Sequence, residues 1–406
     1  MSEKIVIIGG SHGGVSVIEV LKREGFQGRL TLISDERIPI CSPTVLPYLF
    51  GEKNKRIKFI RPGEFYNKID VIEEKASHIN PEKSFVQLRS KRKIAYDRLV
   101  IATGASAVTL PIEISNRIPI FTLRRIEDLE RIEQRMKKSR NIIIIGAGLI
   151  GLHLAQVFSM EHRQVHMVEL KDQILPGLVH AELATYLKGL FEQRGIEISL
   201  GTSISEIGEK EAMLSNGEKI KVDMTIVAIG IQPNLSVIEG TFIGVNKGVL
   251  VNERMETNIP GIYACGDVAE YRDFFTGEHR LNPNVINAAE QGKTVAEALL
   301  GKTNGHPGLI SINIFDCLGM NLFSLGTATP GPDDRFYEEE NTEMKVFKRM
   351  VFQGEILKGM VLFNTKVDGG VFYKLMRQKT SLKGLEDKLL KDPLLWGKWI
   401  AERVFK

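Results

Sequence analysis

Cysteine and tryptophan are scarce in this chain of 406 residues, which has three Cys and two Trp. Cys41, Cys265 and Cys317 are too far apart for a disulfide framework or a zinc cluster, so neither is expected and no metal site is predicted. No apolar run approaches the roughly 20 residues that a membrane-spanning helix needs, so no transmembrane segment is expected. The first apolar segment starts at Lys4, which leaves no room for a signal peptide ahead of it. A cytoplasmic location is the expectation. Net charge is only +4, so no nucleic-acid partner is expected either.

That charge is unevenly spread. From Phe372 to Lys406 there are nine Lys/Arg against four Asp/Glu, and both tryptophans, Trp396 and Trp399, fall in this stretch. One reading is a solvated helix face with its Trp packed inward. The other is a basic, aromatic surface that docks an acidic protein or an anionic membrane.

What is present is two glycine fingerprints, each following an apolar run that reads as a strand: KIVIIGGSHGG (Lys4 to Gly14) and NIIIIGAGLIG (Asn141 to Gly151). In the first, Gly9 permits a tight turn and Gly14 lets the following helix approach the strand. Ser11 replaces the middle glycine and is still small enough for a diphosphate to come close. The helix N-terminus beyond the turn favours an anion, because its N–H groups are unpaired and its dipole is positive. The next strand ends Ser34-Asp35-Glu36, so the carboxylate expected to hold a ribose is Asp35 or Glu36. The second fingerprint has all three glycines, Gly146, Gly148 and Gly151, and its closing strand ends in Glu169, eighteen residues after Gly151. A carboxylate there accepts from a ribose 2′-hydroxyl and repels a 2′-phosphate, which favours NADH over NADPH. Lys171 next to it argues the other way. One such loop is a weak signal; two imply two nucleotides and electron transfer between them.

Each fingerprint opens a βαβ unit. Between and after them stand Ala102-Thr103-Gly104 and ACGD (Ala264 to Asp267). A helix is predicted near Glu127 to Lys138 and another over Ala181 to Arg194. Strands are predicted at TIVAIG (Thr225 to Gly230), MKVFKRMVF (Met344 to Phe352) and ILKGMVLF (Ile356 to Phe363). LPIEISNRIPIFTL (Leu110 to Leu123) reads as a linker.

With these four motifs in this order the chain resembles the pyridine nucleotide–disulfide oxidoreductase family, specifically over about residues 4 to 305 and loosely beyond. The resemblance implies an α/β fold with two Rossmann-like dinucleotide-binding domains and a C-terminal α+β interface domain. The FAD domain is then discontinuous, residues 1–112 and 245–305, with the NAD(H) domain at 113–244 and the interface domain at 306–406. It implies that Asp267 holds the FAD ribityl chain, that Ala102, Thr103 and Gly104 approach the flavin nucleotide, and that Gly230 lies near NADH. A homodimer or a subunit of an electron-transfer complex is the implied assembly.

The segment PICSPTVLPYLFGE (Pro39 to Glu52) runs beside the flavin in that family. It has no CxxxxC, which excludes a dithiol reductase. Aligned on Leu46-Pro47-Tyr48, the redox cysteine of single-cysteine members falls at Thr44, and Cys41 is displaced from it. Cys41 is either a small buried hydrophobe or the redox thiol of a CoA-disulfide or polysulfide reductase or NADH oxidase. On the same alignment a Lys–Glu pair of ferredoxin-reductase-like members is replaced by Tyr48 and His153. His153 either orients the nicotinamide and shuttles a proton, or is a helix histidine satisfied by backbone. Leu149 replaces an aromatic lid.

The function these residues imply is an FAD-dependent NADH:acceptor oxidoreductase most similar to NADH:rubredoxin reductases. Hydride passes from NADH to FAD, and electrons go on to a rubredoxin- or ferredoxin-type carrier or a small-molecule acceptor, or flow in reverse. The alternatives are the Cys41 thiol enzyme and a peripheral NADH:quinone reductase anchored through Leu385 to Phe405.

Overall fold

The computed structural model describes residues 2–51, 59–110, 118–302 and 304–405. The boundary expected at 112/113, residues 111–117 of the expected linker and Glu52 lie outside the described residues, and the end of that expected linker holds a short strand, Ile120–Phe121. The α-helices of the described residues are α1 (His12–Arg23), α2 (Ile126–Met136), α3 (Leu149–Met160), α4 (Ala181–Glu192), α5 (Val285–Leu299), α6 (Gly369–Arg377), α7 (Glu386–Lys391) and α8 (Pro393–Val404). The chain divides into two compact units, residues 1–106 with 231–310, and residues 107–230 with 311–406.

The first unit is built on a parallel sheet. Lys4–Ile8 pairs with Arg29–Ser34 on one side and Arg98–Ile101 on the other, and Arg98–Ile101 in turn pairs with Ile262–Ala264. Asp70–Glu73 closes the edge beyond Arg29–Ser34. These strands are continuous apolar runs because the sheet is buried, its core shared with α1, α5 and the antiparallel strands Ala76–Asn80 and Phe85–Leu88. Ile5, Ile7, Leu32, Val100 and Ile262 are all at or near zero exposure. α1 crosses α5 closely: a Cβ at Gly292 would lie 2.3 Å from the Gly13 carbonyl oxygen.

The second unit repeats the plan. Asn141–Ile145 lies between Gln164–Val168 and Met224–Val227, with Ile196–Ser199 and Ile120–Phe121 at the edges, all parallel. A second sheet in this unit is antiparallel, in the order Ile312–Cys317, Met320–Gly326, Ile356–Phe363, Val346–Gln353, Arg335–Asn341. Its alternation suits a sheet with one covered face. α6, α7 and α8 pack at its C-terminal end.

Within this unit His180, the residue ahead of α4, is half-buried, and its Nδ1 has no hydrogen-bond partner among the described residues. Burial, with Arg349 adding repulsion, pushes its pKa down to about 4 from an ordinary 6.5. Between pH 6.5 and 4 the unfolded chain therefore binds more protons than the folded one, so this residue lowers stability as pH falls through that window. The expected outcome is that His180→Gln loses less melting temperature than the natural protein between those two pH values. Melting curves across the window check this; parallel curves would count against it.

Candidate functional site

Because the first sheet is parallel, its strands deliver their C-terminal ends to one edge, and the sequence motifs follow those ends. Gly9 leaves Lys4–Ile8, Asp35 and Glu36 leave Arg29–Ser34, Ala102-Thr103-Gly104 leaves Arg98–Ile101, and Cys265-Gly266-Asp267 leaves Ile262–Ala264. The backbone bonds Gly9 N–H to Ile33 O (2.8 Å), Ala102 N–H to Ile8 O (2.8 Å) and Cys265 N–H to Ile101 O (3.1 Å) hold these turns side by side.

Gly9 takes φ +107°, and a Cβ on it would stand 2.0 Å from the Ala102 carbonyl oxygen. A Cβ on Gly14 would stand 2.0 Å from the Gly9 oxygen. Both glycines are thus required by backbone approach. Ser11 is the N-cap of α1, but its side chain makes no capping bond and no acidic residue occupies the first turn. By contrast α5, α6 and α8 open on side-chain caps from Asn284, Asp368 and Asp392. The N–H groups at the start of α1 are therefore left for an anion.

Of the two candidate carboxylates, Asp35 is exposed and Glu36 half-buried. The Ser34 hydroxyl ties Glu36 by accepting from its N–H and donating to its carbonyl, 3.1 Å each. Thr103 donates from its hydroxyl to Asn234 O and accepts at its carbonyl from Asn234 Nδ2, 2.9 Å each. Its side chain is therefore committed, and any approach to a nucleotide is by backbone. Asp267 is half-buried after Gly266 (φ +80°), whose N–H donates to Gln291 Oε1 of α5 at 2.6 Å. Cys265 is fully buried, and a Cβ on Gly13 would lie 3.1 Å from its Sγ, so this thiol fills the space beneath the glycine turn.

A short chain of hydrogen bonds in this unit was not singled out from the sequence. His12 Nε2 lies 2.8 Å from Ser42 Oγ, and Ser42 Oγ lies 2.9 Å from Thr44 Oγ1. A histidine as the first residue of α1 is the signal that could have found it. Thr44 and Tyr48 are exposed on the 3₁₀ helix Pro43–Leu49. Cys41 precedes that helix, half-buried, with burial and then Glu36 pushing its thiol pKa up.

In the second unit Gly146 takes φ +102°, and a Cβ on it would lie 2.5 Å from the Ala228 oxygen. One on Gly151 would lie 2.0 Å from the Gly146 oxygen. Gly148 differs: nothing lies within 4 Å of its Cβ position, so its backbone faces open space. It is also the N-cap of α3, which has no side-chain cap and no acidic first turn. Glu169 is nearly buried and accepts from Ala147 N–H (2.7 Å) and Lys171 N–H (2.9 Å), which aims its carboxylate at the glycine turn. Lys171 supports the carboxylate through its backbone N–H, and its side chain is exposed. Gly230 (φ +116°) ends the turn after Met224–Val227 on the same edge.

Both turns suit a dinucleotide: close strand–helix approach, uncapped helix N-termini, and a carboxylate at the end of the neighbouring strand. His153 lies two residues after Gly151 in α3, buried with its ring 6.1 Å from Phe315. Tyr48 and His153 belong to different units. Leu149 is half-buried as the first residue of α3.

Comparison with known proteins adds four findings. The family described as pyridine nucleotide-disulphide oxidoreductase matches residues 3–292. The chain is 26% identical over 416 residues to the NADH-dependent phenylglyoxylate dehydrogenase subunit epsilon of Aromatoleum evansii, covering 99% of this chain and 98% of that one. It is 30% identical over 352 residues to the NADH-rubredoxin oxidoreductase of Clostridium acetobutylicum, covering 86% and 85%. Among solved structures, the ferredoxin reductase for the CYP199A2 system from Rhodopseudomonas palustris superposes with a TM-score of 0.86 at 26% identity, covering 93% and 95%.

Proposed function

The chain belongs to the pyridine nucleotide-disulphide oxidoreductase family as an FAD-dependent NAD(P)H oxidoreductase with FAD and NADH as cofactors, and on that premise we propose that it exchanges electrons with a one-electron carrier protein of rubredoxin or ferredoxin type. Bound FAD would supply the chemistry that links a hydride donor to a one-electron acceptor. The first unit holds FAD through Gly9, Ser11, Gly14, Glu36, the Ala102–Gly104 backbone and Asp267. The second holds NADH through Gly146, Gly148, Gly151, Glu169 and Gly230. The N-termini of α1 and α3 neutralise the two diphosphates, and Glu169 accepts from the adenosine ribose.

The observation that carries this reading is the state of the thiols. Burial pushes Cys265 and Cys317 up to about 12, and Cys41 is raised as well. A nucleophilic redox thiol needs the opposite, a depressed pKa in an electropositive setting. Raised thiols disfavour a cysteine relay and so support direct transfer from bound FAD to an outside acceptor. The experiment is an anaerobic NADH titration of the FAD-loaded protein, paired with Cys41→Ser. One NADH per FAD and an active Cys41→Ser protein are expected. Two equivalents, or loss of turnover in Cys41→Ser, would transfer the reading to the single-cysteine reductases.

A second reading is favoured by the end-to-end match to subunit epsilon of the phenylglyoxylate dehydrogenase. In it the chain is the flavin subunit of a larger oxidoreductase and passes electrons from an iron–sulfur partner to NAD. Co-purification from native extract in one large complex would favour it over a free reductase.

A further inference from the structure

A row of cations and indoles crosses the exposed side of the C-terminal helices. Trp396, Trp399 and Arg403 are three and four residues apart on α8 and so share one face. The Arg403 guanidinium carbon lies 3.7 Å from the Trp399 ring centroid, the two indoles are 5.4 Å apart, and Lys388 Nζ on α7 lies 4.7 Å from the Trp396 centroid. Lys374 of α6 stands 3.9 Å from the Phe405 centroid. Leu395 is 59% exposed, Val404 42% and Trp399 39%. The other side of α8 is already used for packing: Pro393, Gly397 and Ile400 are buried, and a Cβ on Gly397 would lie 3.0 Å from the Phe372 ring.

Elsewhere in this unit cations are matched by carboxylates: Lys348 by Glu339, Lys358 by Asp334, Arg349 by Glu338. Among the described residues no carboxylate lies within 4 Å of Lys374, Lys388, Lys398 or Arg403. Of the four acids in the same stretch, Glu386 is buried facing Arg335 at 3.7 Å, and Asp392 caps α8 by accepting from Leu395 N–H. Lys383 of the same stretch is paired with Glu355 at 3.0 Å, so the positive character of this surface rests on the four unmatched cations.

We propose that this row is the docking surface for an acidic electron-carrier protein. The proposal rests on the carrier reading above and names where the carrier binds. Cations held over rings have already lost much of their rotamer freedom, so ordering them costs little when carboxylates arrive. Arg and Trp at such a place are the residue types that carry most interface energy. A membrane is disfavoured because the apolar groups that remain are interleaved with cations, whereas interfacial helices sink a continuous apolar face.

The test compares the holoenzyme with Lys388→Glu/Arg403→Glu and with a control of equal charge change, Lys219→Glu/Lys221→Glu. Three quantities are measured: the Kd for a recombinant rubredoxin and a small acidic [2Fe–2S] ferredoxin at low and high salt, NADH:menadione turnover, and pelleting with phosphatidylserine vesicles. For at least one carrier, the row variant is expected to bind about tenfold or more weaker with a shallower salt dependence. The control should stay near the natural protein, menadione turnover should be unchanged, and no form should pellet with vesicles. Equal Kd values for variant and control, no carrier binding by the natural protein, or vesicle binding lost in the row variant would each overturn the proposal. Failure of NADH to reduce menadione would remove the carrier-reductase reading instead, and the Kd contrast would still decide the docking surface.

Discussion

Gly151→Val is expected to abolish NADH-driven bleaching of the flavin while leaving FAD bound at full stoichiometry. The Cβ position of Gly151 is 2.0 Å from the Gly146 carbonyl oxygen, and the obstruction is backbone, which cannot rotate away. Overpacking costs about 1–3 kcal/mol even where side chains can move, so here α3 must shift away from the strand Asn141–Ile145. That shift carries off the N–H groups assigned to the NADH diphosphate. A rise in the NADH requirement of about 100-fold or more corresponds to roughly 3 kcal/mol. Stopped-flow reduction at 450 nm, with dithionite reduction as the control for bound flavin, separates this from loss of FAD. The mirror-image change, Gly14→Val, meets the Gly9 oxygen at the same distance and should instead yield colourless protein. Near-normal NADH kinetics in Gly151→Val would break the assignment of the second turn to NADH.

The second large effect is expected at Glu169. Its carboxylate accepts from Ala147 and Lys171 N–H at the edge of the glycine turn, so it supports the turn and presents charge to the ribose at once. Glu169→Gln keeps the shape and removes the charge. Hydrogen bonds to a charged group contribute about 1.5–3 kcal/mol against about 1 for neutral pairs, so NADH should bind about 2- to 30-fold more weakly. The same change removes repulsion of a 2′-phosphate, so the preference for NADH over NADPH should narrow from both sides. Measured kcat/KM for the two nucleotides checks it. An unchanged ratio would mean that Glu169 serves only the turn.

The sequence made local structure readable wherever a short pattern determines it. The strand expected over Ile356 to Phe363 occupies those residues, and the helix expected from Ala181 ends at Glu192, two residues before the expected Arg194. The expected strand Thr225 to Gly230 stops instead at Val227, because Ala228–Gly230 turns across the sheet edge and Gly230 takes φ +116°. Both glycine turns were legible because the close approaches that demand Gly14 and Gly151 arise within one βαβ unit, whereas Gly9 and Gly146 answer to carbonyls of a later strand end, at Ala102 and Ala228. Contacts between distant segments were not. Asn234 grips Thr103 across 131 residues, and Ser42 reaches His12 across 30, with no periodic pattern to announce either. The tryptophans expected to turn inward are half out, each ring covered by a cation from its own helix or the one before it. Counting charges along the chain could not reveal that, because the stacking depends on how α7 meets α8.

The first sheet also has a history written into its strand order. Its edge strand Ile262–Ala264 and the helix α5 that crosses α1 come more than a hundred residues after Arg98–Ile101, its neighbour in the sheet. The parallel sheet of the second unit, by contrast, draws all five strands from residues 120–227. On a ribosome the chain emerges from its N-terminus. The turn nearest the N-terminus is therefore the later of the two to be finished, and the apolar strand Arg98–Ile101 must wait, one edge unpaired, while the other nucleotide fold completes itself.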